Sequence, residues 1–301
     1  MLLDPDDKSH LKTLEERYVA GVGVVNRPGG NFRPDAACWM ILALRAAGGD
    51  DRVIENARQL LVSAQTQDGR VPVASNNPDA CWPTALAVLA WHGSLQYQGP
   101  RDKALRFLLE FDEVNTVSTS EAPGVHDTTI KGWPWIARTH PWVEPTACAL
   151  FAIRACGQMA HPRAEEGIRL LLDRQLPSGG WNCGNTFTFG LESRPTAETT
   201  GVALQATAGL TSKDAVKNSI SYMQSEAALL HAPMSLAWAI LGLHAWSEIV
   251  DRPQERILQS LARQEEFGSY DTVPLSLLVL AWYCRTGLVD FFEHADSQDQ
   301  T

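Results

Sequence analysis

Two kinds of apolar pattern alternate along the chain. Six segments consist of small and apolar residues with almost no charge. A helix that is apolar on nearly every face must be buried on nearly every face, so we interpret these segments as inner helices. They are AACWMILALRAAG from Ala36, PTALAVLAWHG from Pro83, PTACALFAIRACG from Pro145, TTGVALQATAGL from Thr199, PMSLAWAILGLHAW from Pro233 and PLSLLVLAWYC from Pro274.

The segments between them are amphipathic. Ala104, Leu108 and Phe111, for example, form an apolar stripe at helical spacing. Ser212 and Asp251 occupy N-cap positions before two such segments. No segment alternates with the period of two that a strand needs. The pattern predicts an all-α fold, an (α/α)6 toroid whose inner helices are surrounded by six outer helices that begin near residues 11, 51, 101, 161, 213 and 253.

The connections between helices predict one domain with one long loop. No low-complexity linker interrupts the repeats, so we expect residues 1–301 to form a single toroid domain. The longest connection runs from about residue 112 to 143 and carries Trp133, Trp135 and Trp142. Long loops in compact folds are often functional, which makes this aromatic loop a candidate lid over the mouth of the toroid.

Charge and hydropathy narrow the classes of partner. The net charge of -10 argues against nucleic acid and anionic membranes, which need clustered Lys and Arg. The start of the chain, MLLDPDDKSH, lacks the basic flank and apolar stretch of a signal peptide. Apolar runs fall short of the roughly 20 residues of a membrane span, so we expect a cytoplasmic protein without a transmembrane segment. The cysteines form no CxxC pair and are expected to be core thiols: Cys38, Cys81, Cys148, Cys156, Cys183 and Cys284.

Three predicted outer helices end in a related motif. A glutamine is followed by a glycine four residues on and a large residue six residues on. The sets are Gln65, Gly69 and Val71; Gln175, Gly179 and Trp181; and Gln264, Gly268 and Tyr270. This motif resembles the QW repeat of the squalene and oxidosqualene cyclases. The fourth outer helix resembles the first half of the repeat, with Asp112 in the glutamine position, and the resemblance spans about residues 11 to 287.

The resemblance implies a catalytic acid. In these cyclases a DxDD or DCTA motif at the start of one inner helix protonates an alkene or an epoxide. Glu144 of WVEPTA falls at that position, and Asp35 and Glu198 have the same phase in two other repeats. Trp142 and Pro145 replace the outer aspartates of DxDD, so the segment is closer to the epoxide-opening form. The resemblance thus implies that Glu144 is the general acid and that Asp35 and Glu198 shape the field at the mouth.

The substrate that the resemblance implies is a polyprenyl or terpenoid, with no cofactor. Cyclisation passes through carbocations, which the negative ring faces of aromatic side chains stabilise. The candidate substrate-binding residues are Trp39, Trp82, Trp133, Trp135, Trp142 and Trp238.

Alternatives remain open at this point. The chain also resembles protein prenyltransferase β subunits, whose zinc is held by an Asp-x-Cys and a histidine; Asp79, Cys81 and His140 would be the corresponding ligands. Toroidal glycosidases use paired carboxylates, for which Glu144 with either Glu198 or Asp35 is a candidate pair. Lanthionine cyclases are zinc toroids with a motif faintly similar to GWNCG. A non-catalytic hydrophobe-binding or scaffold toroid is a further alternative, and a partner subunit is left open.

Overall fold

The computed structural model describes residues 9–115 and 126–293, and the described chain is mostly helical. Residues 116–125 of the predicted lid lie outside this part. The helices are α1 Ser9–Glu15, α2 Pro34–Ala47, α3 Asp51–Ala64, α4 Pro83–Trp91, α5 Gln98–Glu110, α6 Val143–Ala155, α7 Pro162–Asp173, α8 Ala197–Thr207, α9 Lys217–Ala227, α10 Pro233–His244, α11 Pro253–Ala262, α12 Gln264–Phe267, α13 Thr272–Tyr283 and α14 Leu288–Glu293. Two 3₁₀ turns, Leu95–Tyr97 and Lys213–Val216, precede α5 and α9.

The alternation of two helix types is confirmed. The predicted inner segments form α2, α4, α6, α8, α10 and α13, and most residues of each of these helices are buried. The predicted outer segments form α1, α3, α5, α7, α9 and α11, each with one buried face. The sequence therefore predicted both the number of these helices and which of them are fully buried.

The inner helices contact one another in a closed order. Helix α2 packs against α4, α4 against α6, α6 against α8, α8 against α10, α10 against α13, and α13 against α2. Hydrogen bonds between the two ends of the chain support the last contact. The Thr272 hydroxyl donates to the carbonyl of Val25 at 2.7 Å, and the Arg17 guanidinium donates to the carbonyl of Tyr270 at 2.8 Å.

Helix α14 covers the carboxyl-terminal ends of several inner helices. It packs against α6 and α8, where the rings of Phe292 and Phe151 lie 6.0 Å apart. The Arg45 guanidinium, in the last turn of α2, lies 5.8 Å from the Phe291 ring. Because α14 covers this end of the inner helices, a site for a ligand is expected at their amino-terminal ends.

Glycine allows the closest inner-helix contact. A Cβ at Gly201 in α8 would overlap the main-chain oxygen of Trp238 in α10, and a Cβ at Gly242 would lie 2.9 Å from the Cα of Gly201. Side chains at either position would force two helix backbones apart. The pair therefore sets the spacing of α8 and α10.

Each of three inner helices is tied to the loop before it by the same hydrogen bond. A threonine hydroxyl near the helix start accepts from the main-chain N–H of a buried loop residue. The pairs are Val71 with Thr84 at 2.8 Å, Trp133 with Thr146 at 3.0 Å and Trp181 with Thr200 at 2.9 Å. Trp133 therefore takes the place of the large QW residue in the repeat that begins with α5, despite the long loop before it.

The glutamines of the motif tie chain ends as their spacing suggests. The Gln65 amide donates to the carbonyls of Gly69 at 3.1 Å and Pro100 at 2.9 Å. The Gln175 amide donates to the Ser219 hydroxyl at 2.7 Å. These bonds hold the end of one outer helix to the next, which is a structural rather than a chemical role.

Two local predictions need correction. Two β-hairpins occur, β1 Tyr18–Val19 with β2 Gly23–Val24 and β3 Phe187–Thr188 with β4 Leu191–Glu192. Strands of two residues are too short to produce an alternating pattern, so the sequence did not predict them. The N-cap at Ser212 is confirmed, but Arg252, not Asp251, caps α11, because Pro253 occupies the first helical position.

The cysteines depart from expectation at one position. All six are free thiols, and Cys183 is exposed rather than in the core, because it lies in the loop after Trp181. Within the described residues, no helix has both the length and the apolar character to cross a membrane.

We predict that Gly201→Ala lowers the free energy of unfolding by about 1–3 kcal/mol, because the added methyl meets main-chain atoms that cannot rotate away. Gly99→Ala is the matched control, since Gly99 is also helical, has an ordinary φ and has nothing within 4 Å of the added Cβ. Urea unfolding measures both. Equal effects of the two substitutions would contradict the close contact of α8 and α10.

Candidate functional site

Three carboxylic acids occupy the same position in their helices. Asp35, Glu144 and Glu198 are each the second residue of an inner helix, α2, α6 and α8 respectively. The shared phase that the sequence predicted is confirmed. A first-turn carboxylate interacts favourably with the helix dipole, so the position alone suits a negative charge. The surroundings of the three groups differ, and this difference decides their chemistry.

Two of the acids have hydrogen-bond donors. The buried Asp35 carboxylate accepts two bonds from the Arg33 guanidinium, at 2.9 Å from Nε and 2.7 Å from Nη2. The Glu198 carboxylate accepts a bond from the Ser235 hydroxyl in α10. Donors of this kind stabilise a carboxylate. The carboxylates of Asp35 and Glu198 therefore each have a protein partner within hydrogen-bond distance.

Glu144 differs from both. It is only partly exposed. No described residue donates a hydrogen bond to its carboxyl group or forms an ion pair with it. Burial raises its pKa to about 7, and the negative charge of Glu198 is a second cause of the shift. One turn further on, burial also raises the pKa of the Cys148 thiol, with Glu144 as a lesser cause. Burial and the Glu198 charge thus favour the protonated form of Glu144, which is populated up to a pH near its pKa of about 7.

Four of the six candidate tryptophans form two contacts. Trp39 in α2 and Trp238 in α10 are buried edge to face, with ring centroids 5.8 Å apart. Trp82, directly before α4, and Trp135, in the long loop, make a similar contact at 4.9 Å. The first pair joins two inner helices that both flank α13. The second holds the long loop against the start of α4.

Trp133 is a packing residue and does not close over the mouth. It is buried, its indole N–H donates to the carbonyl of Leu108 at 3.1 Å, and the Arg163 guanidinium lies 4.2 Å from its ring. The recess that it lines with Trp82 is about 10 Å³, roughly the space of one water. Trp142 is half-buried as the residue before α6, and its main-chain N–H donates to Trp133 at 3.1 Å.

The proposed zinc ligands are not brought together. The Asp79 carboxylate pairs with the guanidinium of Arg138 and lies 3.7 Å from that of Arg70. Burial raises the pKa of the Cys81 thiol to about 11, and His140 is exposed. In residues 9–115 and 126–293, no three His, Cys, Asp or Glu side chains are grouped so that they could hold a metal. Two arginine guanidinium groups, rather than a metal ion, therefore balance the charge of Asp79.

Sequence reasoning missed the partners of the acids. Arg33 lies two residues before Asp35, so its proximity could have been inferred locally. Ser235 lies 37 residues after Glu198, and only the packing of α8 against α10 brings the two together. The same holds for Glu113, which accepts from Arg138 at 2.9 Å and from Arg70 at 3.2 Å.

Comparison with solved structures finds a relative in fold. The chain is similar to a structure described as a crystal structure of a protein from Actinoplanes, with a TM-score of 0.59 and 16% sequence identity over 93% of this chain and 99% of that chain. A likeness at this identity shows a shared fold and nothing about activity. No family model matches the sequence, and no curated protein matches it.

We predict that Glu144→Gln changes the pH dependence of stability. Because the native pKa of about 7 exceeds the ordinary value of 4.5, the native state binds this proton more tightly than the unfolded state. The free energy of unfolding of the wild type therefore falls as the pH rises from about 4.5 to 7, and the neutral glutamine removes this loss. Relative to the wild type, the variant should gain on the order of 1–3 kcal/mol between pH 4.5 and pH 8.

Urea unfolding at both pH values measures this gain. Glu165→Gln is the control, because Glu165 is also in the first turn of a helix but is exposed on α7. The same stability difference for Glu144→Gln at both pH values would mean that this carboxyl group titrates as it does in water.

Proposed function

We propose that the chain is an isoprenoid-handling (α/α)6 toroid of the squalene cyclase and prenyltransferase type, in which Glu144 acts as general acid on an epoxide or alkene. Three features support the architecture: the closed order of inner-helix contacts, the outer helix before each inner helix, and the hydrogen bonds between Val25 and Thr272. In such a ring the amino-terminal ends of the inner helices, with Asp35, Glu144 and Glu198, surround one mouth.

The observation that carries the proposal is the isolated Glu144 carboxyl group. A general acid must hold its proton at the working pH and yet be reachable by substrate. Glu144 meets both conditions, since its pKa is raised to about 7 and its side chain remains partly exposed. The Asp35 carboxylate is buried and paired with the Arg33 guanidinium, so it is less accessible to a substrate.

Glu198 acts as a positioning residue in this proposal. The Ser235 hydroxyl supports its carboxylate, whose charge disfavours ionisation of Glu144. Pairs of acids in unlike environments commonly divide their roles in this way, one neutral and one charged. Glu198 would also be placed to stabilise positive charge that develops beside Glu144.

The chemistry favours an epoxide over an alkene. A raised pKa keeps the proton available but does not make the acid stronger, and protonating an alkene requires a strong acid. In the proposed step the Glu144 proton moves to the epoxide oxygen as the C–O bond breaks, and a neighbouring double bond attacks the electron-poor carbon. The last cation loses a proton to water, and solvent returns a proton to Glu144.

The proposed substrate is a polyprenyl epoxide or a related terpenoid. The surface of such a molecule is almost entirely apolar. It suits the space enclosed by inner helices that are themselves apolar on nearly all sides. The ring faces of Trp39 and Trp238 would stabilise a cation in that interior. The cytoplasmic location expected from the sequence stays a prediction.

A non-catalytic hydrophobe-binding toroid is the second candidate. The contact between Trp39 and Trp238 favours it, because in this edge-to-face arrangement one indole covers a ring face of the other, and that face is then not available to a substrate cation. A binding protein of this kind would carry bound lipid through purification and return it unchanged.

We predict that the wild type converts an epoxy-polyprenyl substrate to cyclised products and that Glu144→Gln lowers the rate by at least about 100-fold, the usual contribution of a general acid. Glu198→Gln should lower the rate less and shift the pH optimum down, since the pKa of Glu144 falls when the neighbouring charge is removed. Product analysis by gas chromatography with mass spectrometry measures both rates.

Glu165→Gln serves as the control and should leave the rate unchanged, because its side chain is on an exposed face of an outer helix. Equal rates for the wild type and Glu144→Gln would remove Glu144 from the mechanism. Unconverted lipid in the purified wild type, without any turnover, would favour the binding toroid.

A further inference from the structure

A second recess lies outside the inner helices, between the end of α9 and the length of α11. Its volume is about 500 Å³, within the usual range for sites of small molecules. One wall is α11, and the other is the connection from α9 to α10 with His231. Leu230 and Leu236 give it an apolar floor. None of these residues contributes to the Glu144 site.

Cationic side chains line one face of α11 along this recess. Arg252, Arg256, Gln259 and Arg263 are spaced by four, three and four residues, which puts them on one face of a helix. Arg256 and Arg263 are two turns apart, about 10 Å along the axis, a gap that two arginine side chains can close around one ligand.

The arginines differ in how they are paired. The Arg252 guanidinium, directly before α11, forms ion pairs with the Glu255 carboxylate at 3.2 Å and the Asp251 carboxylate at 3.3 Å. Arg256 donates from Nη2 to the main-chain oxygens of Ala227 and Leu230. Within the described residues no carboxylate lies within ion-pair distance of Arg256, and its Nε and Nη1 atoms have no protein acceptor.

Arg263 is similarly unpaired. Its guanidinium lies 5.2 Å from the Phe267 ring, and in residues 9–115 and 126–293 it has no carboxylate partner within ion-pair distance. Partial burial lowers the pKa of Arg256, and the positive charge of Arg252 lowers it further, while the negative charge of Asp251 opposes the shift. The recess also contains the Asp251 and Glu255 carboxylates, but both are paired with Arg252. Arg256 and the exposed Arg263 are therefore two guanidinium groups without carboxylate partners in one recess, which favours an anion between them.

We propose that this recess binds a phosphate-bearing small molecule, with Arg256 and Arg263 holding the phosphate and Leu230 and Leu236 contacting an apolar body. The planar guanidinium pairs with two phosphate oxygens at once, which makes arginine the usual residue for this group. The volume exceeds what a lone phosphate fills, and the apolar floor accounts for the remainder. A short-chain alkyl diphosphate and a phospholipid headgroup share this chemistry.

The test is isothermal titration calorimetry on the full chain at low salt, with three probes: pyrophosphate, a short-chain alkyl diphosphate, and phosphatidylcholine vesicles containing phosphatidic acid. We expect the alkyl diphosphate to bind more tightly than pyrophosphate because of the apolar floor. Arg263→Gln should weaken the binding of either by at least about 10-fold, the cost of one charge-assisted hydrogen bond. Arg106→Gln is the control, since Arg106 is exposed on α5, away from the recess.

Arg263→Gln is the deciding variant, because Arg256 also caps main-chain oxygens at the end of α9 and its loss could unfold the region. Thermal unfolding of each variant checks its fold. Binding to vesicles alone, weakened by Arg263→Gln, would identify a lipid headgroup as the source of the phosphate. An affinity of Arg263→Gln equal to that of Arg106→Gln, or no binding of any probe to the wild type, would overturn the proposal. None of these outcomes depends on turnover at Glu144.

Discussion

The structure depends on the need to bury six helices that are apolar on every face. A helix of this kind cannot lie at a surface, so each needs two inner neighbours and a covering outer helix. The contacts of α2 through α13 meet this need in closed order, and Thr272 completes it by bonding Val25 at the other end of the chain. The same constraint explains the glycine pair Gly201 and Gly242, since small residues let fully packed helices approach closely.

The loops that precede α4, α6 and α8 are tied to these inner helices by the same kind of hydrogen bond. The threonine bonds to Val71, Trp133 and Trp181 fix where an inner helix begins relative to the outer helix before it. In α6 and α8 this threonine is the fourth residue of the helix, so the second residue of both helices falls at the same place relative to the loop. That position holds Glu144 and Glu198, together with Asp35 in α2. The loops thus contribute to the site by positioning it.

Much of this could be predicted from the sequence, and the exceptions have physical reasons. Apolar periodicity predicted the helices because burial around a helix leaves a local pattern. It could not predict that Trp133 packs against Leu108 and Arg163. A tryptophan in a loop belongs to no periodic pattern, so the sequence does not distinguish a packing role from a place over a site. Nor could it pair Ser235 with Glu198, whose contact depends on how α8 and α10 approach. Spacing suggested zinc at Asp79, where arginines satisfy the carboxylate instead.

The proposed function depends on the proton of the Glu144 carboxyl group. Glu144 lies where water is scarce, without a donor or a cation among the described residues, and beside a second negative charge. The most direct measurement is carbon-13 NMR titration of protein labelled at the glutamate carboxyl carbon, with the Glu144 signal assigned by its absence in Glu144→Gln. We expect a midpoint near 7 for this signal. A midpoint near the ordinary value of 4.5 would contradict it.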